Sequence, residues 1–185
     1  MTGATLRHDA FVYDCETEFA ERMAPFLKTG LERGECTVAV TTSANCAVLR
    51  DALGAASERV SFVDRDEWYV RPANVIAGYD KTLREQLQRG APAVRVIGEV
   101  RFGATPEEWA EWTAYESILN RAFADQPAWI VCPYDARVLP DPVMEAASRT
   151  HPHRFAETRH ESPHYDEPEH LVRALAPEPA PLGHL

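Results

Sequence analysis

Short apolar runs alternate along this chain with longer segments in which apolar residues recur every three or four positions. The short runs predict β-strands at residues 10–13, 37–41, 60–63, 93–97 and 128–131. The longer segments predict helices at residues 16–33, 43–54, 75–90, 105–124 and 141–149. This alternation predicts a three-layer α/β fold, with a mainly parallel sheet of at least five strands and helices on both faces.

Helix boundaries are marked by residues with known capping roles. Thr105 is followed by Pro106 and, three residues after the threonine, by Glu108, which predicts a capping box at the start of a helix. Ser43 is the predicted cap of the second helix. Pro25 falls inside the first helical segment and predicts a kink there.

Composition narrows the class of protein. The chain has 185 residues, 45% of them hydrophobic, and a net charge of −10, which disfavours direct binding to nucleic acid or to an anionic membrane. No long apolar run predicts a membrane span, and the first residues do not resemble a signal peptide. The four cysteines lack CxxC spacing, so we predict a cytoplasmic protein with free thiols.

The motifs of several enzyme classes are absent. The residues after the first strand read Tyr-Asp-Cys-Glu-Thr-Glu-Phe, with neither the glycines nor the lysine of a phosphate-binding loop. GxGxxG, GxSxG and HExxH are missing as well. We therefore predict no nucleotide cofactor and no ATPase activity.

Polar residues concentrate where the predicted strands end, which is where open α/β sheets bind ligands. The helix after Thr105 adds a carboxylate and an amide on an otherwise apolar face. The candidate ligand-binding residues are Asp14, Cys15, Glu99, Glu116, Asn120, Cys132, Tyr134 and Asp135.

Each of these groups allows a second interpretation. Glu116 either lines a ligand cavity or is a boundary residue that reaches solvent or caps a neighbouring loop. Glu99 either forms the rim of that cavity or is a loop carboxylate paired with an arginine such as Arg101. Cys132 is a nucleophile, a metal ligand or a small buried apolar residue. His8 is predicted to lie at the opposite edge of the sheet from this site, in a structural role.

The histidines late in the chain are predicted to belong to a solvated region. They are His151, His153, His160, His164, His170 and His184. We predict no catalytic residue, no cofactor and no defined metal site, and whether Cys132 or these histidines bind a metal stays open. A single domain is predicted over residues 1–170, with a proline-rich tail over residues 171–185.

Several segments together resemble one family, the MEDS domain, a sensory domain named after methanogen and methylotroph regulators. The segments are Arg7–Asp14, Asp66–Ala73, Arg95–Glu99, Tyr115–Phe123, Cys132–Asp135 and His151-Pro152. The resemblance covers about residues 5–170, and it departs from the common pattern at Val100, where a proline is frequent.

The resemblance implies a fold related to KaiC and RecA-like ATPases without the phosphate loop, with the first strand between the fourth and the fifth. It also implies a sensor of a small molecule, such as a simple hydrocarbon derivative. The expected partner is a regulatory protein, such as a histidine-kinase-like or anti-sigma protein, and a homodimer stays open. Two alternatives stand beside the sensor: a small enzyme that uses Glu99, Glu116 and Cys132, and a pure protein-interaction module.

Overall fold

The computed structural model describes residues 5–175, which form a three-layer α/β fold. The strands are β1 (Arg7–Tyr13), β2 (Cys36–Thr41), β3 (Ser61–Asp64), β4 (Val94–Gly98), β5 (Ala128–Asp135), β6 (His153–Arg154) and β7 (His160–Glu161). The helices are α1 (Glu16–Glu32), α2 (Ser43–Leu53), α3 (Arg65–Trp68), α4 (Pro72–Gln88), α5 (Pro106–Ala122), α6 (Asp141–Thr150) and α7 (Pro168–Leu175).

The strand order in the sheet is β3-β2-β4-β5-β1-β6-β7, and every pair except β6–β7 is parallel. The predicted α/β class is confirmed. The predicted position of β1 between β4 and β5 is wrong, because β4 pairs directly with β5 and β1 lies on the other side of β5. β5 is the longest strand and is buried along nearly its whole length, so it gains most from partners on both edges.

The sheet separates two hydrophobic cores. One face carries alternate residues of the strands, among them Ala10, Val96 and Ile130, and it is covered by α4, α5 and α6. The other face carries Phe11, Ile97 and their neighbours, and it is covered by α1 and α2. Because successive residues of a strand point to opposite faces, adjacent polar residues near the strand ends are divided between two separate environments.

The structure confirms the capping box before α5. Thr105 Oγ1 accepts the backbone N–H of Glu108, and the Glu108 carboxylate accepts the N–H of Thr105. The cap of α2 is instead Thr42, whose hydroxyl accepts the N–H of Asn45 at 3.0 Å, one residue before the predicted Ser43. Pro25 lies within a continuous α1.

The chain after α6 extends the sheet beyond β1. β6 pairs with β1, and the Arg159 guanidinium binds the fully buried Asp9 carboxylate through bonds of 2.8–3.0 Å. The predicted domain boundary at residue 170 falls inside α7, where Leu171 is 1% exposed. The rest of the predicted tail, residues 176–185, lies outside the described residues.

A helix that crosses a bilayer needs about 20 consecutive, mostly apolar residues. Within residues 5–175, no helix combines the length and the apolar character needed to cross a bilayer.

Candidate functional site

Four chemically active side chains meet inside the core on the α5 side of the sheet. They come from four elements: His8 from β1, Glu116 from α5, Cys132 from β5 and His151 from the C-terminal cap of α6. All four are at most 2% exposed. We call His8, Glu116, Cys132 and His151 the buried quartet.

The Glu116 carboxylate lies at the centre of the buried quartet. Its Oε2 atom is 3.1 Å from His8 Nε2, 3.5 Å from His151 Nε2 and 3.5 Å from Cys132 Sγ. The Cys132 sulfur is also 3.3 Å from His8 Nε2. The strand register brings His8 close to Cys132. Ala10 is paired with Cys132 across β1 and β5, and His8 lies two residues before Ala10 on the same face of β1.

Each histidine of the buried quartet uses its other ring nitrogen to bind the protein. The Asn120 amide group donates to the carbonyl of Thr150 at 2.7 Å, so its oxygen faces His8 Nδ1 at 3.0 Å and accepts a hydrogen from it. His151 Nδ1 lies 3.0 Å from the carbonyl of Ala147 and therefore donates to it. Both rings are thus held with Nε2 directed at Glu116.

The surroundings shift the pKa values of Glu116, Cys132 and His151, and the directions differ. Burial raises the pKa of Glu116, but the contacts with His151 and His8 outweigh it and lower this pKa to about 2. Burial, followed by the Glu116 charge, raises the pKa of Cys132 well above the usual thiol value. Burial and the neighbouring His8 lower the pKa of His151. At neutral pH the site therefore holds a carboxylate, a protonated thiol and a neutral His151.

Several buried polar atoms on α5 and in the quartet have no hydrogen-bond partner among residues 5–175. On α5 they are the hydroxyls of Tyr115 and Ser117 and the Oε1 atom of Glu116, from three consecutive residues. His151 Nε2 is another, since its contact with Glu116 lacks hydrogen-bond geometry. An unpaired buried polar atom costs about 1–3 kcal/mol, so this region is held at a cost to stability.

Aromatic side chains enclose the buried quartet. The Tyr134 ring packs edge-on against His151, with 5.7 Å between ring centroids. The hydroxyl groups of Tyr69 and Tyr79 are hydrogen-bonded to each other, with 2.9 Å between their oxygen atoms. These two hydroxyls occupy the space above Gly98, whose missing side chain makes room for them next to Cys132.

Substituting Gly98 with alanine should lower the free energy of unfolding by about 1–3 kcal/mol, because overpacking a well-filled core forces its neighbours apart. The added Cβ would lie 2.8 Å from the Tyr69 oxygen and 3.2 Å from the Tyr79 oxygen. Urea denaturation of Gly98→Ala, Tyr69→Phe and the double variant measures this effect. We expect the double variant to lose less than the sum of the two single losses, and strict additivity would contradict the steric explanation.

Glu99 lies on the other face of the sheet, in a separate polar cluster. Its carboxylate accepts hydrogen bonds from Arg65 at 2.8 Å, from Asn45 at 3.0 Å and from Tyr13 at 3.2 Å, as well as from the Thr41 hydroxyl. We call Glu99 and these donors the Glu99 cluster. The alternative that Glu99 pairs with an arginine is thus met by Arg65, whereas Arg101, the arginine named for it, contacts Asp66.

The remaining predicted residues lie at the carboxyl edge of the sheet. Asp14 and Cys15 are exposed just before α1. Asp135 is bound by Arg137 through two side-chain bonds of 2.7 and 2.8 Å, which lower the pKa of Asp135. The structure therefore brings Glu116, Asn120, Cys132 and Tyr134 together, and it separates them from Asp14, Cys15, Glu99 and Asp135.

The sequence analysis assigned both histidines of the buried quartet elsewhere. His8 does not lie at the far edge from the site, and His151 does not belong to a solvated region, since it is fully buried. A signal for each was present in the sequence. His8 alternates with Ala10 on one face of β1, and His151 continues the four-residue spacing of Val143 and Ala147 along α6.

The chemistry open to the buried quartet follows from its burial. A reactive cysteine needs a thiolate and an approach for its substrate, whereas Cys132 is 2% exposed and its pKa is raised. Two imidazole nitrogens, a carboxylate and a sulfur can instead hold a proton or a metal ion between them, and their ligand atoms all lie within 4.8 Å of one another.

Comparison with known proteins gives one family. The family model that matches is described as MEDS, the methanogen/methylotroph, DcmR sensory domain, and it covers residues 7–152 of the chain. This range includes the whole buried quartet and the Glu99 cluster. No curated protein matches the chain.

Proposed function

Because the chain belongs to the MEDS family of sensory domains, we propose that it is a cytoplasmic sensor that binds a small molecule and passes the signal to a regulatory protein. The partner we propose is of the histidine-kinase-like or anti-sigma class. The ligand we propose is a simple hydrocarbon derivative, and the protein does not hydrolyse ATP.

The observation that carries this proposal is a set of buried polar atoms on α5 that have no hydrogen-bond partner within residues 5–175. Tyr115, Glu116 and Ser117 each present a buried oxygen without a partner toward the interior of the domain. A ligand with one or two polar atoms can supply the missing hydrogen bonds and so gain affinity that the empty protein lacks. A sensory family and an unsatisfied core together support ligand binding at this face.

The size of the ligand is limited by the packing of this face. An apolar cavity lies under α3 and α4, between Trp68, Tyr79 and strand residues such as Ile130, and its volume is about 10 Å³. That is about the space of one water molecule. A ligand of a few heavy atoms therefore requires a movement of Trp68, which lies on the four-residue helix α3 and packs against Gly78 of α4.

A route for the signal runs through the quartet side chains. Glu116 belongs to α5, and it contacts His151 at the end of α6. α5 also packs closely against α7. A ligand that moves the Glu116 carboxylate therefore shifts α6 and α7 together, and these helices are the surface that we propose the partner binds.

The enzyme alternative is weaker than the sensor for a physical reason. It assigns a nucleophile to Cys132 and acid–base roles to Glu99 and Glu116. The thiol is buried and protonated, and Glu99 belongs to the other face of the sheet, in contact with Tyr13 and Thr41. One substrate cannot contact these three groups together in this arrangement.

Thermal unfolding of the purified chain tests the sensor proposal. The probes are one- and two-carbon alcohols, amines, acids and halides, with Mg-ATP as the compound expected to have no effect. At a hundred times its Kd a ligand stabilises the fold by about 2.7 kcal/mol, which raises Tm by roughly 5–10 °C at this chain length.

A matched variant tests whether the ligand binds at α5. Tyr115→Phe removes an unpaired hydroxyl and keeps the ring, so we expect the unliganded Tm to hold or rise while the ligand-induced shift falls by at least half. If no probe moves Tm and native mass spectrometry of the purified chain finds no bound small molecule, the sensor proposal fails.

A further inference from the structure

The buried quartet has the separations of a tetrahedral metal site. Zinc lies about 2.0–2.2 Å from nitrogen and oxygen ligands and about 2.3 Å from sulfur, so neighbouring ligand atoms of a tetrahedron are about 3.3–3.6 Å apart. Four of the six distances between the ligand atoms of His8, Glu116, Cys132 and His151 are 3.1, 3.3, 3.5 and 3.5 Å. The other two, from His151 to His8 and to Cys132, are within 4.8 Å, so small side-chain movements complete the tetrahedron.

The groups behind the two histidines favour coordination. A histidine that binds a metal through Nε2 usually donates its Nδ1 hydrogen to a carbonyl or carboxylate, which fixes the ring. His151 Nδ1 donates to the Ala147 carbonyl, and His8 Nδ1 donates to the Asn120 side-chain oxygen. Asn120 is itself fixed by its bond to the Thr150 carbonyl.

The unpaired Nε2 atom of His151 supports a cation site next to Glu116. The neutral His151 ring carries its hydrogen on Nδ1, so its Nε2 presents a lone pair to the Glu116 carboxylate at 3.5 Å. Two acceptors that face each other inside the core repel unless a proton or a cation lies between them. His151 is fully buried and its Nε2 has no hydrogen-bond partner in the protein.

Charge and donor type decide which cation fits. A divalent ion would be neutralised by one carboxylate and one thiolate, which leaves no net charge in the core. Imidazole and thiolate ligands suit zinc and similar transition metals, whereas Mg²⁺ and Ca²⁺ prefer oxygen ligands. Four protein ligands close the coordination sphere, as in structural rather than catalytic zinc sites.

We propose that His8, Glu116, Cys132 and His151 form a closed tetrahedral site for zinc or a similar divalent transition metal. The metal replaces the Cys132 thiol hydrogen, which leaves as a proton, and it joins β1, α5, β5 and α6 at one point. This site shares Glu116 with the small-molecule site proposed above, and its test uses metal ions alone, so that the two proposals can fail separately.

Metal titration of the whole chain, first stripped with a chelator, tests the site. We expect one equivalent of Zn²⁺ to bind and to raise Tm by at least 5 °C. With Co²⁺ we expect intense visible bands of tetrahedral cobalt and a near-ultraviolet charge-transfer band from a single thiolate. Failure of the stripped protein to bind either ion would overturn the proposal, whatever the small-molecule screen shows.

Cysteine variants locate the site. Cys132→Ser should abolish the charge-transfer band, whereas Cys46→Ser, at a buried cysteine of α2, and Cys15→Ser, at an exposed one, should preserve it. A band that survives in Cys132→Ser places the metal elsewhere and overturns the proposal. Asn120→Ala should weaken metal binding by about 10- to 100-fold while the band remains, because Asn120 only positions His8.

X-ray absorption of the zinc-loaded wild-type chain identifies the atoms bound to the metal. This measurement needs no variant, so it does not depend on whether the variants fold. We expect one sulfur and three nitrogen or oxygen neighbours around the metal. A shell without sulfur, or with two or more sulfurs, would contradict the assignment, because the quartet contains a single cysteine.

Discussion

Glu116→Gln should lower the free energy of unfolding of the metal-free chain by about 3 kcal/mol at pH 7, or roughly 6–12 °C in Tm. Glutamine keeps the volume of the side chain and removes its charge. His8, 3.1 Å from Oε2, then loses the anion that it faces inside the core. Removing the charge of a buried carboxylate is costly when the groups packed around it are left without compensation.

Urea denaturation in the presence of a chelator measures this loss. Glu111→Gln is the matched control, since it makes the same exchange at an exposed position of the same helix and should change stability by less than about 0.5 kcal/mol. Equal stability of Glu116→Gln and wild type would mean that the carboxylate contributes no net stabilisation to the fold.

Acid should remove the advantage of wild type over Glu116→Gln. The pKa of Glu116 in the folded chain, about 2, lies below its usual value of 4.5, so the ionised form stabilises the fold above about pH 5. That contribution is lost as the pH falls toward 2. His151, whose pKa is lowered by burial and by His8, adds to acid sensitivity in both proteins, because acid must place a charge on a buried ring.

Glu99→Leu should lower the free energy of unfolding by about 4 kcal/mol, because it removes the shared acceptor of the Glu99 cluster. Arg65, Asn45, Tyr13 and Thr41 donate to this one carboxylate from four different elements. Leucine fills a similar volume and accepts no hydrogen bond, so the buried donors are left without partners.

Chemical denaturation of Glu99→Leu and of the exposed control Glu67→Gln measures this second loss. The cobalt spectrum adds a check on location. Because Glu99 lies on the opposite face of the sheet from Cys132, the metal-bound spectrum of Glu99→Leu should equal that of wild type. A loss below about 1 kcal/mol would mean that water replaces the carboxylate as the acceptor.

Local sequence patterns predict the elements of this fold well, because they reflect local physical preferences. The capping box at Thr105 and the apolar runs of β2, β4 and β5 each depend on a few neighbouring residues. β6, β7 and α7 were not predicted. β6 and β7 are two residues long, and α7 is an eight-residue helix, so none contains enough periods to form a pattern.

Half of the candidate site depends on contacts that no local pattern encodes. Glu116 stood out because a carboxylate on an apolar helical stripe needs partners, and Cys132 stood out because it follows a buried strand. Their shared partner is far away along the chain: His8 is 108 residues from Glu116 and 124 residues from Cys132. The predicted and the observed strand orders both place β1 next to β5, so the missing information was the register, which pairs Ala10 with Cys132 and brings His8 beside it.

The edge of the sheet beside β1 is covered by short strands from the last part of the described chain. β1 carries buried polar and aromatic residues, and without β6 its outer edge would display a row of unpaired backbone groups that invites strand addition. The segment beyond the family match supplies β6 and β7, and Arg159 from the same segment neutralises Asp9. The sheet thus ends at a two-residue exposed strand, too short to template the growth of an aggregate. β6 and β7 therefore protect the edge of β1 from pairing with another protein chain.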